Sequence, residues 1–397
     1  MRVLQETLFP FEEILKLEPK DQIEEYFLVL DEIIGNPSRK TGTRGPKAIP
    51  FSLLLRSFLV MKIFSIKSVV LLRERLNHDK RLKLYCGFKY ADPIPSEATF
   101  SRFINYLASS DKLLKLFYAV VEKGKTLGII GDEARAIDST DISAYETKQP
   151  KKKINQDGTK ADWGSKKDSN GNQLTWFGYK LHIVVDPKSE CPVNLELTPA
   201  SVNDGDMAPG LIKEEYKTLP KERPVYFIMD AGYDQYKVYE SVVENKGWPI
   251  IPLNLRGEKQ PPPGVDVNGT PVCSAGFTMV YWGDSKFRCP HVLGKVDCPF
   301  GSNWCSSSNY GLVVKTNPKD DPRRFCIPHR GSQNWKELYN LRSSVERAFS
   351  RLKNNLSLED FKVRGIKKVM VHMLLSSICL VAGTIAANQK VCCESAA

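Results

Sequence analysis

Met1 to Leu17 carry acidic residues and no uninterrupted apolar core, so no secretory leader is expected and the chain is read as cytoplasmic. Long hydrophobic runs are equally scarce. Val369 to Ala387 approaches the length of a membrane span, but His372, Ser376, Ser377, Gly383 and Thr384 interrupt it. It reads as a buried core helix, and no membrane partner is expected. Acidic charge is in the minority, with 46 Asp and Glu against 57 Lys and Arg, a net charge of +11 and a pI near 9.0. That balance points to a polyanionic partner, with an ordinary basic protein as the alternative. Without a leader, the 10 Cys are expected to be reduced thiols or metal ligands rather than disulfides.

Trp335 to Lys353 lacks both Pro and Gly and reads as a single helix, each residue turned about 100° from the last. Measured from Glu346, Tyr339 then falls at about +20°, Arg342 at about −40° and Lys353 at about −20°. Leu338, Leu341, Val345, Phe349 and Leu352 form a second, apolar stripe that should face the core. One face therefore gathers a carboxylate, a phenol and two cations, a set suited to a metal and a phosphate. A solvated face of helical ion pairs is the plainer alternative.

At 397 residues and 42% hydrophobic content the chain is long enough for two or three domains. Residues 1 to 35 alternate acidic and apolar residues in helical style. The basic, breaker-rich link Ser38 to Lys47 follows, and its Arg44 either lies along a phosphate backbone or is simply solvated. Pro50 to Phe64 and Ser68 to Asn77 read as helices, the second with Arg73, Glu74 and Arg75 outside; a third, capped by Ser96, runs through Leu107. This succession permits a helix-turn-helix-like arrangement with Ser96, Thr99, Ser101 and Arg102 toward DNA, or an ordinary helical domain.

From about residue 130 short strands take over. Ala134 to Asp141 carries Asp138 at an expected strand end, Trp176 to Asp186 and Val193 to Thr198 form neighbours joined at Pro187-Lys188, and Pro224 to Asp230 ends an apolar strand in an acid. Asp141 would point away from Asp138, and Asp234 would cap a helix near Gln235. Lys180 and His182 share a strand face and could approach DNA phosphate, although His182 is equally readable as a core histidine. Lys148 and Lys151 to Lys153 form a basic loop, and Asn254 to Arg256 another strand end. Two strand-end Asp and a helical Glu are the oxygen ligands that could hold two Mg²⁺ or Mn²⁺ ions about 4 Å apart over a phosphodiester.

The order Tyr339, two residues, Arg342, three residues, Glu346, six residues, Lys353 resembles the Tyr-Arg-Glu-Lys signature of DDE transposases encoded by bacterial insertion sequences. The resemblance implies an α/β fold: a ribonuclease-H-like core with a mixed β-sheet flanked by helices, a helical N-terminal domain, and a β-rich insertion before the last catalytic helix. The corresponding divisions are 1–125, a helical DNA-binding region; 130–256, the first part of the core; 257–335, a Cys-containing insertion; and 336–390, helices completing the core.

It further implies that Asp138, Asp230 and Glu346 form the catalytic, metal-holding triad. Arg342 and Lys353 would grip phosphate, and Tyr339 would bond to it or to a displaced sugar-phosphate. The implied partners are double-stranded terminal inverted repeats and target DNA, bound by a homodimer at the nucleoid, with a hairpin intermediate among the family's precedents. Within the insertion, Cys289, Cys298, Cys305 and Cys326 either clamp a structural Zn²⁺ or are scattered thiols, their intervals matching no known zinc ribbon. Trp282 and Trp304 either stack on a flipped base, as the resemblance suggests, or pack as core aromatics. A metal-dependent nuclease, an inactive transposase-derived DNA-binding protein and a zinc-containing regulator are the other readings.

Overall fold

The computed structural model describes residues 22–34, 49–148, 150, 160–167, 171–219, 224–255, 257–258, 260–301 and 304–395. Its N-terminal part is helical: α1 (Gln22–Ile34), α2 (Phe51–Ile63), α3 (Val69–His78), α4 (Lys80–Tyr85), α5 (Glu97–Ala108) and α6 (Lys112–Thr126). Ser96 Oγ accepts the Thr99 amide at 3.4 Å, so the expected N-cap forms, and Ser68 Oγ caps α3 in the same way by accepting the Leu71 amide at 3.2 Å. The short α4, capped by Asp79, was too brief for periodicity to reveal, and it separates α3 from α5. Arg73 is not simply outside. Its guanidinium donates to Pro95 O at 2.8 Å and to Glu97 at 3.2 Å, pinning α3 to the start of α5.

A mixed sheet follows, built of β1 (Ala134–Ser143), β2 (Asp162–Lys167), β3 (Gln173–Asp186), β4 (Cys191–Pro199), β5 (Tyr226–Ile228) and β6 (Trp248–Ile250). Its order is β2-β3-β1-β5-β6, with β4 also paired to β3. β3 is antiparallel to β1, β2 and β4, while β5 is parallel to β1 and β6 to β5. β3 approaches β1 so closely at Gly178 that a Cβ there would lie 2.1 Å from Ile142 O. Because β1 pairs with β3 through Ser143, Asp138 lies in mid-strand rather than at the strand end the sequence suggested.

Helices α7 (Asp204–Tyr216) and α8 (Tyr236–Glu244) accompany the sheet. The insertion holds a three-stranded antiparallel sheet, β7 (Val280–Gly283), β8 (Lys286–Arg288) and β9 (Val313–Lys315), but turns and loops outweigh strands among the described residues of 257–335. It is thus thinner in β-structure than expected, a consequence of its Pro and Gly punctuation. The chain returns through α9 (Gln333–Asn340), α10 (Ser343–Ser350), a π-helical turn (Arg351–Asn355) and α11 (Ile366–Ser395).

α11 contains the long apolar run, and 83% of its most hydrophobic window is buried inside the protein, as a core helix requires. It packs on α1, α2, α5, α6 and β4, so the N-terminal helices and the sheet share one continuous core. A buried ion pair attaches the insertion. Arg323 donates to both carboxylate oxygens of Asp234, at 2.9 and 3.1 Å from Nε and 2.9 Å from Nη2. Asp234 also accepts from Tyr239 OH at 2.9 Å and the Asn254 amide at 2.7 Å. It is therefore an anchor and not the expected cap, because the N-cap of α8 is Gln235, whose side chain makes no capping bond.

Asp234→Ala would leave Arg323 partly unpaired inside the protein, a loss of about 3–5 kcal/mol. Urea unfolding should show a matching fall in midpoint; an unchanged midpoint would mean that the pair carries no structural load.

Candidate active site

Parallel pairing of β1 with β5 sets the site. Ala136 is in register with Ile228, and two residues further along each chain path lie Asp138 and Asp230. Neighbouring strands run about 4.8 Å apart, so the two carboxylates emerge side by side. Each is oriented by a backbone amide: Asp138 Oδ1 accepts Ser139 N at 2.8 Å, and Asp230 Oδ1 accepts Gly232 N at 2.8 Å. Asp230 thereby caps the 3₁₀ turn Ala231–Tyr233. Burial, reinforced by the charge of Asp230, pushes the Asp138 carboxyl up to about 7, against opposing pulls from the Ser139 amide and Arg342.

The third acid arrives on an interrupted helix. α9 ends at Asn340, and α10 begins at Ser343 after a tightened turn in which the Arg342 amide bonds to Tyr339 O at 2.9 Å and the Val345 amide to Arg342 O at 3.1 Å. Arg342 stands between two of the acids, with Nη1 3.6 Å from Asp138 Oδ2 and Nη2 ion-paired to Glu346. Tyr339 stacks on Trp335 with ring centroids 5.0 Å apart. Burial raises its phenol above the usual range, with Arg342 and Asp230 both close enough to act on it. The structure thus brings Asp138, Asp230, Tyr339, Arg342 and Glu346 together. Asp138 and Glu346 meet through the Arg342 guanidinium, and among the described residues no three His, Cys, Asp or Glu side chains form a ready metal cage.

Other expectations for this helix fail at its irregular turns. Val345, Phe349 and Leu352 are buried as expected and Leu338 is half-buried, but Leu341, at the break, is 39% exposed. Lys353 lies in the π-helical turn, whose wider winding changes the side-chain direction that a regular helix would give. Its ammonium bonds to Asp141 O at 3.2 Å and Glu359 at 2.7 Å, away from the triad.

Strand parity sets Lys180 apart from the acids and bears out the core-histidine alternative for His182. In the β1–β3 register Asp138 opposes Ile183, whereas Ser139 opposes His182 and Asp141 opposes Lys180. Directly opposed residues share a sheet face, so Lys180 and His182 lie on the other side from Asp138. There Asp204 Oδ1 accepts from Ser139 Oγ at 2.8 Å and from Lys180 Nζ at 3.1 Å, with His182 Nδ1 at 3.7 Å. His182 is a core histidine whose Nε2 pairs with Thr198 Oγ1 at 2.9 Å, and burial pulls its pKa down to about 4. Asp204 was not foreseen. In sequence it is one of two acids in the first turn of α7, indistinguishable from ordinary helix-terminal charge.

The four-Cys clamp does not assemble. Cys289 and Cys326 are buried, Cys298 and Cys305 are only partly so, none of the four is in a disulfide, and among the described residues no three such side chains group as metal ligands. Cys326 packs with Ile228, Ile250 and Trp335, an apolar setting that raises its thiol pKa and keeps it protonated. Trp282 and Trp304 are 51% and 53% exposed, so neither is a core aromatic. Arg102 is exposed on α5 and donates to Thr99 Oγ1 at 3.2 Å. Arg44, Lys151 to Lys153 and Arg256 lie outside the described residues.

Residues 130–382 match the family model described as a transposase DDE domain, and residues 12–106 match one described as a transposase domain, DUF772. Over 71 residues the chain is 34% identical to "Putative transposase y4zB" of Sinorhizobium fredii, a match spanning 18% of each protein. The DDE match takes in both neighbouring Asp residues and the broken helix with Glu346, over well more than half of the sequence. The chain belongs to the DDE transposases of insertion sequences.

Proposed function

We propose that this protein binds the terminal inverted repeats of its element as a homodimer and carries out metal-dependent DNA cleavage and strand transfer, with Asp138, Asp230 and Glu346 as the metal-holding triad. The observation that carries the reading is the pair of carboxylates on adjacent parallel strands, facing a helix that supplies the third through Arg342. The succession of antiparallel β4, β3 and β1 followed by parallel β5 and β6 supports a ribonuclease-H-like core. On this reading 1–125 is the helical DNA-binding part, 130–256 and 336–390 complete the core, and 257–335 interrupts it. The protein acts on DNA in the bacterial cytoplasm.

The donor set fits hard divalent cations. All three groups offer oxygen, which suits Mg²⁺ or Mn²⁺. The raised proton affinity of Asp138 beside Asp230 marks a negative site in need of positive charge. Bound there, divalent ions would supply Lewis acidity for the attacking water or 3′-hydroxyl and for the leaving oxygen. The chain's own groups do the orienting. The Ser139 and Gly232 amides fix the two Asp side chains, and Arg342 is placed to hold a phosphate oxygen when its carboxylate partners are otherwise engaged. Tyr339, held flat against Trp335, presents its hydroxyl beside them.

Glu346→Gln and Asp230→Asn should each retain binding to inverted-repeat duplexes while losing Mg²⁺-dependent end cleavage. Changes in the second shell of a metal site already cost 10–100-fold, so the loss should exceed about a hundredfold. Cleavage at the parental rate in either variant would remove that residue from the site. Cleavage without joining of paired ends by the parent would instead identify a nuclease.

A second prediction follows from the sign of the Asp138 shift. Its pKa is raised from 3.8 to about 7 by folding, so the stability it contributes is full below 3.8 and is lost as pH rises through 7. In EDTA at about pH 8, Asp138→Asn should therefore melt above the parent, and the gap should close near pH 4. Saturating Mn²⁺ should raise the parent's Tm and leave the variant's unmoved. A variant that melts below the parent in EDTA at pH 8 would refute the charge-repulsion account.

A further inference from the structure

A half-open groove of about 560 Å³ lies between the N-terminal helices and the segment leading into α11. Its size is in the range of small-molecule sites. Phe58 of α2, Phe100 of α5 and Phe361 form apolar lining. Lys67, Lys362, Arg364 and Lys368 line it as well, and among the described residues none of these four is in an ion pair. Two carboxylates also line the groove, Glu97 and Asp360, but Glu97 is taken by Arg73 at 3.2 Å. Cations therefore dominate.

A second observation points to a ligand. His372, on α11, is a lining residue with 5% exposure, and its Nδ1 has no hydrogen-bond partner among the described residues. A buried polar atom without a partner is costly, and a ligand edge carrying a donor or acceptor would satisfy it. Asn105 and Ser101 add polar capacity from α5. Aromatic lining, a buried hydrogen-bonding group and unpaired cations are the elements with which proteins hold a base and its phosphates outside a helix stack.

The groove is within reach of the acidic site. Tyr145, another lining residue and 51% exposed, follows β1 and stands seven residues after Asp138. Seven residues of extended chain span at most about 25 Å, so one DNA strand could pass the triad and enter the groove. A purely apolar partner would leave the four cations unused, and a double helix is too wide for the cavity.

We propose that this groove binds one unstacked nucleotide of a DNA strand, its phosphate on Lys362, Arg364, Lys368 and Lys67 and its base in the cavity beside Phe361 and His372. The inference rests on the reading of the chain as a DNA-handling protein and does not depend on the triad.

The full chain in EDTA, where metal chemistry is silent, should be titrated by fluorescence anisotropy with oligo-dT and with an abasic sugar-phosphate oligomer of equal length. Oligo-dT should bind about tenfold more tightly, as expected for one stacked base. The exposed-site double variant K362A/R364A should weaken oligo-dT binding and make its salt slope shallower by about 1.4, the value for two phosphate contacts on a single strand. Oligomers carrying 5-bromodeoxyuridine should cross-link to peptides containing residues 97–105 or 360–372. Equal affinity for the abasic oligomer would overturn the base pocket. So would an unchanged salt slope in the variant, or cross-links confined to other segments. Because no cleavage is scored, such a failure leaves the triad reading standing, and a failure of Glu346→Gln to block cleavage leaves the groove standing.

Discussion

Two carboxylates are held next to each other by backbone hydrogen bonds that neither of them makes. β1 and β5 pair in parallel up to Ala136 and Ile228, and Asp138 and Asp230 follow wherever that pairing leads. Their mutual repulsion is set by the ladder and cannot be relaxed by small rotamer changes, since an amide also ties each side chain down. Arg342 is the protein's internal answer, touching Asp138 and Glu346 with one guanidinium. A planar group with several donors on fixed vectors suits that bridging role better than a Lys ammonium would. The same planar fork also suits phosphate, so the residue that quiets the acids is also equipped to meet the substrate.

Such a site needs rigid surroundings, and most of the rest of the chain supplies them. α11 runs through the centre and touches both the N-terminal helices and β4, so the DNA-binding candidate region and the sheet cannot move apart without opening the core. Behind the acids, Asp204 collects Ser139 and Lys180 on the opposite sheet face, bracing the residue next to Asp138. On the far side Arg323 holds Asp234, four residues after Asp230, and bonds to Asn254 O at 2.9 Å. The insertion is thereby fastened close to the second acid by a charge pair that water does not screen.

Much of this was legible in the residue order. An apolar run ending in an acid placed Asp230 just beyond β5, the cap Ser96 disclosed a helix start, and an interrupted apolar run disclosed α11 as core. What escaped shares a physical cause. Strand parity is visible in sequence and rightly put Lys180 and His182 on one face, but which face carries Asp138 is a property of the pairing, and it proves to be the other one. Asp204 acts across about 65 residues of chain, and nothing local distinguishes it from Asp206 in the same first turn. The Cys spacings carried no geometric constraint at all, and Cys326 went into an apolar core instead.

The broken helix shows most clearly where a periodic reading stops working. A wheel drawn at about 100° per residue assumes constant winding. Around Leu341 and Arg342 the backbone bonds step back three residues instead of four, and at Arg351–Asn355 the winding widens to a π turn. Tightening turns Leu341 out to solvent, and widening carries Lys353 to Asp141. Between the two irregularities lies α10, whose regular winding keeps Arg342 and Glu346 four residues apart on one face while Val345 and Phe349 fill the core. The signature residues therefore do not act as four points on one cylinder. Tyr339, Arg342 and Glu346 converge because the overwound turn pulls α9 and α10 together against β1 and β5, and Lys353 is released to another partner by the turn that ends the helix.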